Sequence, residues 1–254
     1  MDKKNTKQFG LIGFPLNNSF SVDYFTKKFE ENGLPHVYNN YPLPEIAALT
    51  AFIENTPNLK GLNVTKPYKT AVIPYLDELA LSAQKCGAVN CIQFTSTGKK
   101  IGHNTDVYGF RHSLLNFLGS NQNLKAMVLG NGGAAEAVLD VLNTLHIDYI
   151  QVIRGKINHN KQINYQQLEA SHYKDHQLLI NTTSVGMFPQ EQECLNLDFA
   201  AIGSNHYCYD LIYLPERTIY LEQAAAQGAK IKNGLEMLHL QGDAAYEIWM
   251  NSES

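Results

Sequence analysis

The sequence predicts an α/β protein of two domains, and three observations support that reading. From residue 9 to residue 64, apolar runs of strand length alternate with stretches that repeat apolar residues at helical spacing, the rhythm of a parallel sheet with helical crossovers. The polar run Gly119-Ser120-Asn121-Gln122-Asn123 then interrupts the chain as an interdomain joint would. Past it the rhythm restarts with a strand, a glycine-rich turn and a helix.

Each element has its own warrant. Phe9-Gly10-Leu11-Ile12-Gly13 is apolar and closed by Phe14-Pro15, as a buried parallel strand ending in a turn would be. A helix is expected next, because Val22, Phe25 and Phe29 recur at helical spacing, Ser19 and Ser21 stand at its start, and Gly33 then Pro35 end it. His36 to Tyr41 reads as a second strand, Glu45 to Glu54 as a helix and Gly61 to Val64 as a third strand. The β-rich stretches Ala88 to Thr95 and Lys100 to His103 flank Ser96-Thr97-Gly98, the spacing of a hairpin. Thr105 to Leu118 carries Val107, Phe110, Leu114, Leu115 and Leu118 as a helix does. After the joint, Ala126 to Leu129 and Tyr149 to Ile153 read as strands around a helix from Ala134 to Leu145. Further strands are expected at Leu178 to Asn181 and Tyr207 to Ile212, with helices from Arg217 to Gln227 and from Leu235 to Met250.

Composition bounds the function. The 254 residues, 44% hydrophobic and 17% charged, belong to a globular chain with room for one large or two modest domains. Twenty Lys and Arg against 24 Asp and Glu leave a net charge of -4, without the positive field that nucleic acid or an anionic membrane surface draws on. Neither is an expected partner. Four cysteines with no CxxC pair point to a reducing compartment, and nine histidines without HExxH spacing give no expected metal site. The start MDKKNTKQFG has no apolar signal core, and no apolar run approaches the roughly 20 residues of a membrane span. A cytoplasmic protein, monomeric or homodimeric, that acts on small molecules is expected.

The sharpest motif is Gly130-Asn131-Gly132-Gly133-Ala134-Ala135, which fits G-x-G-x-x-A between an expected strand and an expected helix. Gly130 permits the tight turn, Gly132 lets backbone approach a pyrophosphate, and Ala135 lets helix and sheet pack closely. Amides at the helix start then face the phosphates. This is a Rossmann-type opening. An acid that would hold the ribose 2'-hydroxyl of NAD is missing after the next strand, where Ile153-Arg154-Gly155-Lys156 offers two cations to a 2'-phosphate. NADP is the expected cofactor.

Polar groups also collect at the ends of the first domain's elements. Ser19-Phe20-Ser21 places two hydroxyls at a helix N-terminus, where they would cap the helix or share a carboxylate. Asn63-Val64-Thr65-Lys66-Pro67-Tyr68-Lys69 ends a strand with polar groups and a lysine. Gly87-Ala88-Val89-Asn90 and Gly102-His103-Asn104-Thr105-Asp106 add two more polar ends.

With these segments in order, the chain resembles the shikimate dehydrogenase family over nearly its whole length. The resemblance continues through Asn181-Thr182-Thr183-Ser184-Val185-Gly186-Met187, Tyr209-Asp210-Leu211-Ile212-Tyr213 and Asn233-Gly234-Leu235-Glu236-Met237-Leu238 to Gln241. It implies a substrate domain of residues 1–103 and 235–254, to which the last helix returns, and an NADP-binding Rossmann domain of residues 104–234. It implies Lys69 and Asp106 as the catalytic pair, Ser19 and Ser21 on the substrate carboxylate, and Thr65, Asn90, Asp106 and Gln241 on its ring hydroxyls. Tyr213 would sit beside the substrate. The cofactor would meet Gly130, Asn131, Gly132, Gly133, Ala134 and Arg154, with Gly234 near the nicotinamide and Thr182, Met187 and Leu211 as candidates for its wall.

Ketone reduction by NADPH needs a hydride from the cofactor and a proton for the developing alkoxide, and Lys69 fits the second need. The sequence leaves open whether Lys69 carries the proton or acts as an electrostatic clamp. It also leaves open a quinate/shikimate dehydrogenase of broader range and a non-catalytic NADP-binding regulator. The chain departs from the family pattern in three places. Val22 replaces a proline, Lys66 replaces a small apolar residue, and Ile157, Asn158 and His159 stand where a second basic residue is usual.

Overall fold

A computed structural model describes residues 6–16, 20–121 and 123–251. The chain divides into two compact units, Met1–Tyr108 with Gln241–Ser254, and Gly109–Leu240.

The first unit contains β1 (Gln8–Gly13), α1 (Phe20–Glu31), β2 (Val37–Pro42), α2 (Leu49–Glu54), β3 (Leu59–Val64), α3 (Tyr68–Ala71), β4 (Glu78–Leu79), α4 (Leu81–Cys86), β5 (Cys91–Phe94), β6 (Lys100–His103) and the start of α5 (Thr105–Leu118). Its six strands lie in the order β2-β1-β3-β5-β6-β4. The βαβαβ rhythm holds for the first three strands, and the expected hairpin adds an antiparallel pair. β1 runs parallel to β2 and β3, but β5 runs antiparallel to both β3 and β6. The β5–β6 pair follows from the tight turn at Ser96-Thr97-Gly98: Gly98, at φ +84°, donates its amide to Thr95 O at 3.0 Å, and a turn this short returns the strand alongside itself.

Both faces of that sheet are covered. Ile12, Leu62, Val64 and Ile92 pack with Leu49, Tyr68 and Val72 on one side. On the other, Phe9, Phe25, Phe29, Tyr38 and Trp249 form an aromatic layer beneath α1 and the last helix. Gly61 makes room for it, because a Cβ there would stand 2.3 Å from Trp249 Nε1. That indole nitrogen donates to Ile92 O at 3.1 Å.

The second unit continues with β7 (Ala126–Leu129), α6 (Gly133–Thr144), β8 (Tyr149–Ile153), β9 (Gln162–Asn164), α7 (Ala170–Asp175), β10 (Leu178–Asn181), β11 (Tyr207–Asp210), α8 (Ile219–Ala226), β12 (Lys230–Lys232) and the start of α9 (Leu235–Met250). All six strands are parallel, in the order β12-β11-β10-β7-β8-β9. The order reverses between β7 and β10, the topological switch point at which doubly wound sheets bind ligands. This is the Rossmann arrangement. The chain passes between the units inside α5 and inside α9.

Several boundaries differ from expectation for local reasons. The helix expected from Glu45 is a 3-10 turn at Ile46–Ala48 followed by α2. The strand expected from Ala88 begins at Cys91, because Val89 and Asn90 turn their amides to Lys69 O and His103 O. The helix expected from Arg217 begins at Ile219, since the Thr218 hydroxyl accepts from Leu221 N and caps it. β4, β9, β12 and α7 are short and carry little periodicity to announce them. Among the described residues no helix is long and apolar enough to cross a membrane.

Candidate active site

Local geometry explains why Lys69 and Asp106 meet. β3 ends at Val64, and Thr65-Lys66-Pro67 turns the chain into α3, which carries Lys69. The Lys69 carbonyl accepts from Val89 N at 2.7 Å, tying α3 to the segment that enters β5. The β5–β6 hairpin then delivers Thr105 and Asp106 to the first turn of α5, where an acid suits the positive end of the helix dipole. Lys69 Nζ lies 2.6 Å from Asp106 Oδ2, with the side chains 26% and 15% exposed. This is a charge-assisted hydrogen bond with its cation open to solvent.

Ser21, Asn90 and Gln241 are joined by a largely buried hydrogen-bonded chain. The Ser21 hydroxyl bonds the Tyr38 phenol, which burial holds neutral by pushing its pKa far above the ordinary value. Tyr38 Oη donates to Asn63 Oδ1 at 2.7 Å, and Asn63 Nδ2 donates to Asn90 O at 3.2 Å. Asn90 Oδ1 accepts from Thr105 N at 2.7 Å, while Asn90 Nδ2 donates to Thr105 Oγ1 at 3.0 Å. Thr105 Oγ1 in turn lies 3.4 Å from Gln241 Oε1 on α9. Thr65 N donates to Ile12 O at 2.9 Å, and glycine at position 13 leaves room for the Thr65 methyl, 2.5 Å from where a Cβ would stand. Ser21, Thr65, Lys69, Asn90, Asp106 and Gln241 therefore gather along one edge of the first sheet. Ser19 lies outside the described residues. Tyr213 belongs to the second unit, on the loop after β11, and is 37% exposed.

In the second unit the glycine-rich turn has the form that a dinucleotide requires. Gly130 sits at φ +114°, and a Cβ there would stand 2.7 Å from Thr182 Oγ1 and 2.9 Å from Thr183 Cγ2. Above Gly132 and Gly133 nothing lies within 4 Å of a Cβ position. α6 starts at Gly133 with no side chain capping it, so its first amides are presented to a ligand, and Ala135 is fully buried against the sheet. Arg154, just past β8, borders a cavity of about 580 Å³ that Tyr165, Thr183, Val185, Glu193 and Leu195 also line. These features fit a phosphate-linked dinucleotide. Thr182 gives its hydroxyl to Leu129 O at 2.8 Å, so its side chain fastens β10 to β7. Met187 is exposed, and Leu211 lies against Gly234 so closely that a Cβ on Gly234 would stand 2.0 Å from Leu211 O.

Comparison with known proteins bears on both halves. Residues 11–92 match the family described as shikimate dehydrogenase substrate binding domain. The shikimate dehydrogenase (NADP(+)) of Carboxydothermus hydrogenoformans is 35% identical, over 96% of this chain and 91% of its own. The chain belongs to the shikimate dehydrogenase family. The crystal structure of shikimate dehydrogenase from Aquifex aeolicus superposes with a TM-score of 0.86 at 31% identity, covering 99% of this chain and 95% of that one. That of shikimate 5-dehydrogenase from Thermus thermophilus, in complex with NADP(H) and shikimate, gives 0.83 at 28% identity, covering 96% and 94%.

The residues themselves marked the polar ends, and the family resemblance gave them roles, but neither identified Tyr38 as a group that holds them. Tyr38 reads in sequence as one more strand aromatic. Asn63 did carry a signal, since a polar residue inside an apolar strand must find a buried partner. The far wall of the cavity, from Tyr165 to Leu195, lies mainly in irregular segments without the periodicity on which sequence reading depends.

Proposed function

We propose that this chain catalyses the reversible NADPH-dependent reduction of 3-dehydroshikimate to shikimate, a step of aromatic amino acid biosynthesis. The observation that carries this reading is the Lys69–Asp106 pair, 2.6 Å apart and continuous in sequence with the Asn90–Thr105–Gln241 chain. The names of the relatives and the ligands of the Thermus thermophilus structure support it.

When bound, NADPH supplies the hydride that reduces the ketone carbon. Lys69 donates a proton from its ammonium to the developing alkoxide and takes it back in the reverse direction. Asp106 orients that ammonium through Oδ2 and receives a substrate hydroxyl. Ser19 and Ser21 hold the substrate carboxylate, with Tyr38 fixing the Ser21 rotamer. Thr65, Asn90 and Gln241 accept and donate to ring hydroxyls; Asn90 has one Nδ2 hydrogen beyond the one it gives Thr105. Tyr213 flanks the ring. The amides of Asn131, Gly132, Gly133 and Ala134 would hold the pyrophosphate, Gly130 allows the turn, and Arg154 with Lys156 would hold the 2'-phosphate. Thr182, Met187, Leu211 and Gly234 form the remaining wall.

The test is a spectrophotometric assay of NADP+ reduction with shikimate, repeated with NAD+ and with quinate. Shikimate-dependent NADP+ reduction is expected in the wild type. Lys69→Ala is expected to lower kcat about 10²-fold or more, with a smaller change in the KM for shikimate. Absence of shikimate-dependent reduction in the wild type overturns the proposal.

A further inference from the structure

The second unit holds a buried acid that the reaction above does not use. Asp210 ends β11 and is wholly shielded from solvent. Three donors converge on it: Asn181 Nδ2 at 2.9 Å and Ile212 N at 3.0 Å on Oδ1, and Thr218 Oγ1 at 2.6 Å on Oδ2. Asn181 ends β10, and its Oδ1 accepts from Thr183 N at 2.9 Å and from Thr183 Oγ1 at 2.7 Å. Thr183 Oγ1 accepts in turn from Val185 N at 3.2 Å. One carboxylate therefore links the loop leaving β10 to the loop leaving β11, and both to the cap of α8.

A carboxylate suits this node because it only accepts. An amide would offer one accepting oxygen and turn N–H groups toward Thr218, which is already a donor. Burial pushes the Asp210 pKa up to about 6 against these hydrogen bonds, which leaves the group ionised at neutral pH. The other titratable side chains facing it, Cys194 and Tyr220, are both raised by burial and stay neutral there.

The two loops carry the groups that border the glycine-rich turn. Thr182 and Thr183 occupy the space a side chain on Gly130 would need, and the Leu211 carbonyl rests on Gly234. We propose that Asp210 is a positioning residue of the dinucleotide site, its carboxylate fixing the loop of Thr182, Thr183 and Met187 relative to the loop of Leu211 and Tyr213. This rests on the reading above that these residues wall the cofactor.

The test is calorimetric titration of NADP+ into the full chain, alongside the KM for shikimate at saturating NADP+. Asp210→Asn is expected to raise the Kd for NADP+ about tenfold, on the scale of one lost charge-assisted hydrogen bond, with a smaller rise in the shikimate KM transmitted through Tyr213. Thr218→Val is expected to raise the Kd about threefold and Thr218→Ser, which keeps the hydroxyl, to restore it. A folded Asp210→Asn protein with wild-type NADP+ affinity overturns the inference. If that variant does not fold, unchanged NADP+ affinity in Thr218→Val overturns it. Failure of the wild type to bind NADP+ removes the cofactor reading and this inference together, which separates that failure from the other two.

Discussion

At the scale of single residues, charge and shape at a few positions set what the site distinguishes. Arg154 borders the cavity with Tyr165 and Thr183, and it is the cation nearest the end of β8. Arg154→Ala is expected to raise the KM for NADPH while leaving NADH use nearly unchanged, because only the former carries a 2'-phosphate. Steady-state kinetics with both cofactors checks this, and equal losses would speak against the assignment. The glycine-rich turn was fully legible in sequence, since each position there answers a steric demand of a phosphate or a helix packed on a sheet. Lys69 and Asp106 were legible only as parts of a family pattern. Their meeting depends on a hairpin register and on the Val89 to Lys69 backbone bond, neither of which a linear string displays.

At the scale of elements, the docking of α9 on the first sheet matters most, because α9 also carries Gln241. Among the contacts that hold it are the Trp249 indole against Gly61, the Tyr24 hydroxyl donating to Asp243 Oδ1 at 2.6 Å, and the ion pair of Lys28 with Asp243. Gly61→Ala is expected to force the indole off β3 and break its bond to Ile92 O. Overpacking of this kind destabilises by about 1–3 kcal/mol. Thermal unfolding should show the loss, and the KM for shikimate should rise as Gln241 shifts; an unchanged melting temperature would refute the packing argument. The sequence showed α9 as a helix with an apolar side. Its seat was hidden because Gly61, within an apolar run, has no side chain to declare that something large lies on it.

At the scale of the whole molecule, the buried and surface acids pull stability in opposite directions with pH. Burial raises the Asp210 pKa from its ordinary 3.8 to about 6. Between these values the folded chain keeps a proton that the unfolded chain has released, so this contribution falls as pH rises from about 4 to 6 and is level above. Asp148, held down by its hydrogen bond from Lys161, and Asp77, held down by the Lys100 amide, work the other way and lose their contribution as pH falls through the acid range. The difference in melting temperature between wild type and Asp210→Asn should therefore change between about pH 4 and pH 6 and flatten above. A difference constant across that range would remove Asp210 from the account.

The passage of the chain through α5 and α9 also has a consequence for biogenesis. Phe9, Phe25 and Tyr38 leave the ribosome early, whereas Trp249, which closes over them, lies at the opposite end of the sequence. The aromatic layer therefore cannot receive Trp249 until the entire second unit has been synthesised.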